Sequence, residues 1–246
     1  MVVLALDTTS RQGSSAVVVD GRVVLELASD ASLPQAARVP GELQAVLSRA
    51  GLALRDVDAF AVAVGPGSFT GLRVGIATMQ GLAFDAGKPL LGISALDALA
   101  TIASEVGEVP SAGPGGPALL TATWVDAWRG EVYAALYDGV TEIEAVTVER
   151  PQDILQRWST GSTGPSAGGV YRFIGDGVGN QMATIRDALG SRASMAPELT
   201  PSLAGAIARR ATVALAAGSR PGADDIRPLY VRRPDAEIAR DARTTR

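Results

Sequence analysis

The residues best suited to chemistry lie in a glycine-rich loop, Gly65-Pro66-Gly67-Ser68-Phe69-Thr70-Gly71. The loop stands between a predicted apolar strand and a predicted helix, where backbone N–H groups can converge on an anion. It lacks the Gly-Lys-Ser/Thr ending of a Walker motif, and the chain has one lysine, Lys88. An anion site would use Gly65, Gly67, Ser68, Thr70 and Gly71. The pattern is equally typical of a tight strand-to-helix turn, because glycine adopts backbone dihedrals that other residues avoid.

Three aspartates, Asp7, Asp126 and Asp176, each follow a predicted strand in a turn that contains glycine. Nucleotide-binding folds place carboxylates at such positions to hold a hydrated magnesium ion. Aspartate is also common in turns because its side chain accepts hydrogen bonds from nearby backbone N–H groups, so both roles stay open. The candidate anion or nucleotide contacts at these turns are Asp7, Thr8, Thr9, Asp126, Arg129 and Gly175.

The composition excludes several classes of site. The 246 residues include no histidine and no cysteine, which removes Cys/His zinc sites, thiol nucleophiles, Ser-His-Asp triads and disulfides. Carboxylates, arginines, tyrosines and Lys88 remain for acid–base work, so a self-sufficient hydrolase would need an unusual site. The net charge of −4 argues against a chain that holds nucleic acid by itself, since phosphate binding needs a concentrated basic surface.

The termini and the hydropathy pattern predict a cytoplasmic protein. A strand starts directly after Met1, with no basic leader and no small-residue cleavage site. No apolar run approaches the roughly 18 residues that span a bilayer. We therefore expect no membrane segment.

The first half of the chain predicts a three-stranded meander followed by alternating helices and strands. Apolar, β-branched runs separated by turn residues indicate strands, and apolar residues spaced by three and four indicate helices. The predicted strands cover residues 2–6, 14–19, 22–27, 57–64 and 89–93, and the predicted helices cover residues 40–50 and 72–84, with a third that starts at Ser94.

The second half repeats the order of these events after a Pro- and Gly-rich break at residues 110–117. The first turns hold Asp7, Gly13 and Asp20-Gly21, and the later ones hold Asp126, Gly130 and Asp138-Gly139. The order favours a duplicated βββα unit, although two hairpins can also resemble each other by chance. The later predicted elements are strands at 119–125, 131–137, 171–174 and 229–231, helices at 151–158 and 200–217, and a loop at 161–169.

We therefore predict an α/β fold with two lobes. The first lobe covers residues 1–110 and is joined by the returning segment 219–232. The second, smaller lobe covers residues 118–218, and residues 235–246 form a charged tail that we expect to be disordered. The helix at 72–84 is apolar on nearly every side, so it must be covered by its own lobe or by another chain.

The chain resembles the TsaB (YeaZ) family, a branch of the actin-like ATPase and sugar-kinase superfamily. The resemblance covers residues 2–232, and its most specific stretch is Gly65-Pro66-Gly67-Ser68-Phe69-Thr70-Gly71-Leu72-Arg73. Further matching stretches are Leu4-Ala5-Leu6-Asp7-Thr8-Thr9, Gln80-Gly81-Leu82-Ala83, Asp126-Ala127-Trp128-Arg129-Gly130 and Pro228-Leu229-Tyr230-Val231-Arg232. The resemblance implies a two-lobed actin-like architecture built from a duplicated ribonuclease H-like βββαβαβα unit.

The resemblance also implies a role in making N6-threonylcarbamoyladenosine at position 37 of tRNAs that read codons starting with A. In that system a TsaC-type enzyme makes threonylcarbamoyl-adenylate, a TsaD-type subunit transfers the group to tRNA, and a TsaE-type ATPase resets the complex. TsaB-type subunits lack the metal-binding histidines of TsaD, and this chain has no histidine. It departs from relatives that carry a histidine just before the first helix, where it reads Gln35-Ala36-Ala37-Arg38-Val39-Pro40.

From the resemblance we expect a non-catalytic partner subunit that activates a TsaD-like protein, binds no cofactor tightly and leaves ATP and magnesium to its partners. The complex would include a TsaE-like ATPase, reach tRNA indirectly, and leave the free subunit as a homodimer. The expected partner-binding residues are Arg38, Leu43, Val46, Leu47, Leu72, Arg73, Gly75, Ile76, Met79 and Gln80. The glycine-rich loop then acts chiefly as a rigid turn that starts the second helix, with anion contact as a secondary role.

The rival hypothesis is an autonomous nucleotide-dependent enzyme of the actin-like superfamily, with Asp7 and Asp126 around magnesium. A metalloprotease, which the older M22 glycoprotease label suggests, would need metal ligands that the chain lacks.

Overall fold

The computed structural model describes residues 1–106, 119–160 and 169–232. The predicted break at 110–117, the predicted loop up to residue 168 and the predicted tail at 235–246 lie outside the described residues. Among the described helices, none is both long and apolar enough to cross a membrane.

The first sheet has the strand order β3-β2-β1-β4-β5. Strand β2 pairs antiparallel with both β1 and β3, whereas β4 pairs in parallel with β1 and β5 pairs in parallel with β4. The elements are β1 (Val2–Asp7), β2 (Ser14–Val19), β3 (Arg22–Ala28), α1 (Gln35–Arg49), β4 (Ala59–Gly65), α2 (Phe69–Ala86), β5 (Leu90–Ser94) and α3 (Ala95–Glu105).

The second sheet has the order β10-β9-β6-β7-β8, which is the same path through the sheet as in the first lobe. Its elements are β6 (Leu119–Asp126), β7 (Val132–Asp138), β8 (Thr141–Glu149), α4 (Pro151–Thr160), β9 (Val170–Ile174), α5 (Met182–Leu189), β10 (Ala193–Met195) and α6 (Ala204–Ala216). Both halves therefore follow the order βββαβαβα, which confirms the predicted two-lobed α/β fold with a duplicated unit.

The two lobes share a core formed largely by small side chains of α3 and α6. Helix α6 lies after the second sheet in the chain but packs on β1 and β2 of the first. Its start is fixed from that sheet: Ser14 Oγ accepts hydrogen bonds from Leu203 N at 3.2 Å and Ala204 N at 3.0 Å, and Glu26 accepts one from Gly205 N at 2.9 Å. These caps satisfy donors that a helix start leaves free. The helix therefore begins at Ala204, and the predicted start at residue 200 was wrong.

The first helix begins earlier than the sequence pattern predicted. Helix α1 starts at Gln35 rather than residue 40, with Pro40 inside it. A proline inside a helix removes one backbone hydrogen bond, and tertiary contacts of the first turns offset this loss. The side-chain amide of Gln35 donates to Thr8 O at 3.2 Å, and the guanidinium of Arg38 donates to Arg11 O at 3.1 Å.

The C-terminal segment returns to the first lobe without forming the strand predicted at 229–231. Leu229 N donates one hydrogen bond to Val64 O at 2.7 Å, beside β4. The predicted lobe boundaries, 1–110 with 219–232 and 118–218, stay predictions. Helix α6 lies within 118–218 but packs on the sheet of the first lobe.

Candidate functional site

The glycines of the 65–71 loop allow α2 to lie directly on the segment that follows β1. A Cβ atom at Gly67 would lie 2.4 Å from Thr9 O, and one at Gly71 would lie 2.1 Å from Thr8 O. The Ser68 amide donates to Thr9 O at 2.7 Å, and the Ser68 hydroxyl caps α2 by accepting from Gly71 N at 3.2 Å. A side chain at Gly67 or Gly71 would collide with this backbone, so the close approach explains why both residues are glycine.

Helix α2 continues this close contact one turn later. A Cβ atom at Gly75 would lie 2.2 Å from Thr8 Oγ1, and Thr8 is buried beneath the helix. Thr70 is exposed on the first turn of α2. Thr8 and Thr70 therefore do not join a common anion site.

Asp7 is engaged by its own turn. One carboxylate oxygen accepts hydrogen bonds from Thr9 N at 2.8 Å and from the Thr9 hydroxyl at 2.7 Å. The side chain is buried, and this burial raises its pKa above the ordinary value. The arrangement is that of an aspartate that satisfies local donors.

The equivalent turn of the second lobe also binds its own aspartates. Asp126 accepts a hydrogen bond from Trp128 N at 2.9 Å, and Asp176 accepts one from Asp126 N at 2.9 Å. Burial raises the pKa of Asp176, and the Asp126 carboxylate acts in the same direction. A Cβ atom at Gly175 would lie 1.9 Å from Trp124 O, so this glycine is also needed for close packing, while Arg129 is exposed.

The two turns face each other across a cleft between the lobes. One cavity there measures about 470 Å³ and a second about 530 Å³. We call them together the inter-lobe cleft; the predicted site residues that line it are Asp7, Thr9, Gly67, Ser68, Asp126 and Gly175. Asp176 and Glu198 add carboxylates, and Arg11 is the one cation among the described lining residues.

This donor set does not fit a magnesium nucleotide. Within residues 1–106, 119–160 and 169–232, no three acidic side chains lie close enough together to hold a metal ion. Carboxylates outnumber the single arginine in the described lining, and one carboxylate oxygen of Asp7 already accepts two hydrogen bonds. A triphosphate needs cationic or backbone donors that converge on it.

A second concave surface lies between α1 and α2. We call this cavity of about 430 Å³ the α1–α2 groove. It carries no charged side chain among its described lining residues, which are Leu4, Pro40, Leu43, Gln44, Leu47, Ser48, Leu52, Ala53, Leu54, Thr78 and Leu82. Such an uncharged, largely apolar lining is typical of a surface that another protein covers.

The fold buries most of the residues predicted to bind a partner. Those that pack inside the first lobe are Arg38, Leu43, Val46, Leu47, Leu72, Gly75, Ile76 and Met79. Arg38 pairs with Glu42 at 2.8 Å. Leu43 and Leu47 also line the α1–α2 groove, and the contact of these residues with a partner stays a prediction.

The other two predicted residues reach the C-terminal segment. Arg73 donates to the Tyr230 hydroxyl at 3.2 Å, and Gln80 donates to Ala223 O at 2.9 Å and Ile226 O at 3.2 Å. Leu54, an exposed residue of the α1–α2 groove, was not among the predicted residues. It belongs to the apolar run Leu52-Ala53-Leu54 directly after the helix-ending Gly51.

Two sequence comparisons identify the family. The family model described as "TsaD: tRNA N6-adenosine threonylcarbamoyltransferase" matches residues 26–239. The tRNA threonylcarbamoyladenosine biosynthesis protein TsaB of Escherichia coli (strain K12) is 35% identical over 176 residues, which cover 67% of this chain and 72% of that protein. The chain belongs to the TsaB (YeaZ) family.

Other relatives agree with a TsaB rather than a TsaD assignment. The tRNA N6-adenosine threonylcarbamoyltransferase of Solidesulfovibrio magneticus is 40% identical over 124 residues, but the match covers only 33% of that protein. The solved structure of YeaZ from Pseudomonas aeruginosa has a TM-score of 0.72 and 28% identity, and the match covers 93% of this chain and 99% of that one. The similarity to this YeaZ structure thus extends over nearly the whole two-lobed fold.

Proposed function

We propose that this chain is a non-catalytic partner subunit in the synthesis of N6-threonylcarbamoyladenosine in tRNA, and that it binds and activates a TsaD-like catalytic subunit through the α1–α2 groove. Membership of the TsaB family, whose E. coli member is named for this biosynthesis, supports the pathway. The observation that carries the binding role is the uncharged groove.

The groove offers apolar surface that a partner can bury. Leu54, which lines it, is 36% exposed. Removing apolar surface from water contributes about 25 cal/mol per Å². A TsaD-like partner of related fold would present a corresponding helix pair, so that helices from both chains pack together. The same surface could pair with a second copy, which supports the expected homodimer of the isolated subunit.

The alternative of an autonomous nucleotide-binding enzyme has less support. Asp7 is buried and accepts two hydrogen bonds from Thr9, and the inter-lobe cleft lacks a donor set that fits a magnesium nucleotide. We therefore assign ATP and magnesium to the partners, including a TsaE-like ATPase that reaches this subunit through the complex.

Co-purification with the TsaD-like protein of the same organism tests the proposal. We expect a stable complex in size-exclusion chromatography, with tRNA modification that needs both proteins. Isothermal calorimetry of the isolated chain with ATP and magnesium should give no binding and no turnover. Absence of the complex, or modification at the same rate without this chain, would contradict the proposed function.

A further inference from the structure

Three distant parts of the chain meet beside the inter-lobe cleft. The first turn of α2 meets the C-terminal segment where Arg73 donates to the Tyr230 hydroxyl at 3.2 Å. The same segment reaches the second lobe, because Arg232 donates to Ala127 O at 2.8 Å. Trp128, which follows Ala127 in the chain, lines the same cavity as Ser68. The start of α2, the 126–131 turn and the C-terminal segment therefore form one continuous surface.

This surface exposes three aromatic rings together with arginines. Phe69 is 46% exposed, Trp128 54% and Tyr230 43%. The Phe69 and Tyr230 ring centroids lie 5.5 Å apart, and the Arg73 guanidinium carbon lies 3.9 Å from the Phe69 centroid. We call Phe69, Arg73, Trp128, Arg129 and Tyr230 the aromatic–arginine surface.

The backbone holds Trp128 outward in a conformation that the residue would not adopt by itself. Trp128 has a φ of 56° and Arg129 a φ of 59°, a left-handed region that bulky residues avoid. Asp126 fixes the turn by accepting from Trp128 N at 2.9 Å, and Glu131 N donates to Trp128 O at 3.1 Å. Tight hairpin turns use positive φ at their central residues, and this turn between β6 and β7 leaves the Trp128 indole exposed.

We propose that the aromatic–arginine surface contacts RNA directly, with bases stacked on its exposed rings and phosphates bound by its arginines. The inference rests on the proposed function, in which the RNA is the tRNA substrate of the complex, and it replaces the expectation that tRNA is reached only indirectly. Exposed aromatic faces and arginine guanidinium planes are what unstacked RNA bases pack against. Arg73 and Arg129 add charge of the sign that complements phosphate.

The contrast with the α1–α2 groove favours RNA over a second protein here. The groove has no charged residue among its described lining and suits an apolar protein surface, whereas the aromatic–arginine surface is open and carries Arg73 and Arg129 beside the exposed Asp126. The net charge of −4 means that the surface supplies only part of the binding energy. The remaining phosphate contacts come from the partner subunit in the assembled complex.

Binding of unmodified tRNA to the complex with the TsaD-like partner tests the proposal. We expect Trp128→Ala and Arg73→Ala each to weaken tRNA affinity about tenfold, the size of one lost stacking contact. Arg73→Ala should also reduce the slope of log affinity against log salt by about 1. Arg22→Ala, at an exposed position of β3, is the matched control and should change neither quantity.

Tryptophan fluorescence gives a second readout. The chain has three tryptophans, and Trp124 and Trp158 are buried while Trp128 is exposed. We expect tRNA to quench the fluorescence of the complex formed with this chain, and Trp128→Phe to abolish that quenching while it retains most of the affinity, since phenylalanine can still stack.

The outcomes separate this inference from the proposed function. If the complex forms but Trp128→Ala and Arg73→Ala leave tRNA affinity unchanged, direct RNA contact is overturned and the proposed function stands. If these variants instead weaken only the affinity for the TsaD-like partner, the surface is a protein contact. If no complex forms with the unaltered chain, the proposed function itself fails.

Discussion

The α1–α2 groove lies on the first lobe and the larger inter-lobe cleft lies between the two lobes, and their chemistry is opposite. The described lining of the groove is uncharged and offers apolar atoms to a partner. The cleft is lined by hydroxyls and carboxylates, and the polar groups of its turns are largely bound to one another. The comparison teaches that one fold can hold a polar cleft whose turns bind their own aspartates beside an uncharged groove, the surface to which we assign partner binding.

The glycines at the start of α2 show how this division arises. Space beside Gly67 and Gly71 is filled by Thr8 and Thr9 of the same chain, so the loop seats a helix. Two turns further along the same stripe of that helix, Thr78 and Leu82 line the groove. Loop and groove therefore adjoin successive parts of one packed element.

The largest effect is expected from Gly71→Ala. The added Cβ would lie 2.1 Å from the backbone oxygen of Thr8, and overpacking against backbone should lower the free energy of unfolding by about 3 kcal/mol. Urea unfolding measures this loss. Gly81→Ala on the same helix is the control, because no atom lies within 4 Å of its Cβ position; it should be neutral or stabilising by up to about 1 kcal/mol. Equal stability of the two variants would show that α2 does not depend on the turn beneath it.

A pair of leucine variants sharpens the contrast between the surfaces. Leu54→Glu places a charge at the groove, where Leu54 is 36% exposed, and Leu33→Glu places the same charge at the cleft, where Leu33 is 52% exposed. We expect Leu54→Glu to weaken binding of the TsaD-like partner about 10- to 100-fold and Leu33→Glu to leave it unchanged. Surface plasmon resonance gives both affinities, and the reverse ranking would place the interface at the cleft.

The smallest effect concerns the pH dependence of stability at Asp7. Burial raises the pKa of Asp7 in the folded state, so the folded chain keeps a proton that the unfolded chain releases. Stability from this group is therefore full below the ordinary pKa of 3.8 and falls as pH rises through the folded pKa. Asn cannot titrate but can still accept the bonds from Thr9, so Asp7→Asn should be more stable relative to the unaltered chain at pH 7 than at pH 4.

Urea unfolding at several pH values measures this difference. Asp85→Asn, at an exposed position of α2, controls for the loss of one charge. If the free energies of unfolding of Asp7→Asn and the unaltered chain differed by the same amount at every pH, burial would not be raising the pKa of Asp7.

The architecture was predictable from the sequence because both meanders carry the same turn residues. Gly13 and Gly130 both have positive φ, at 66° and 77°, as do Gly21 and Gly139, at 79° and 57°. Element ends set by distant partners were not predictable. Helix α6 starts where Ser14 and the β3 strand cap it, and this is a contact that no local pattern of residues contains.

The candidate site was predictable in part. Motif reasoning found Asp7, Gly67, Ser68 and Asp126, which the fold does bring to one cleft. It could not show that Asp7 and Asp126 accept hydrogen bonds from their own turns, because that depends on atomic contact. The apolar periodicity of α1 and α2 selected mainly buried residues, since an apolar stripe reports burial and not which side stays open, and their contact with a partner stays a prediction.

The most direct test of the central claim is the rate of tRNA threonylcarbamoylation in the reconstituted complex at saturating TsaD-like partner. The double variant Asp126→Asn/Asp176→Asn alters the cleft and should keep the rate within about twofold, because we assign these carboxylates to holding a turn and not to the reaction. Leu54→Glu should lose activity at low partner concentration and regain it at high concentration. A double variant that still forms the complex but loses about 100-fold or more in rate would contradict the account and restore the cleft as a catalytic site.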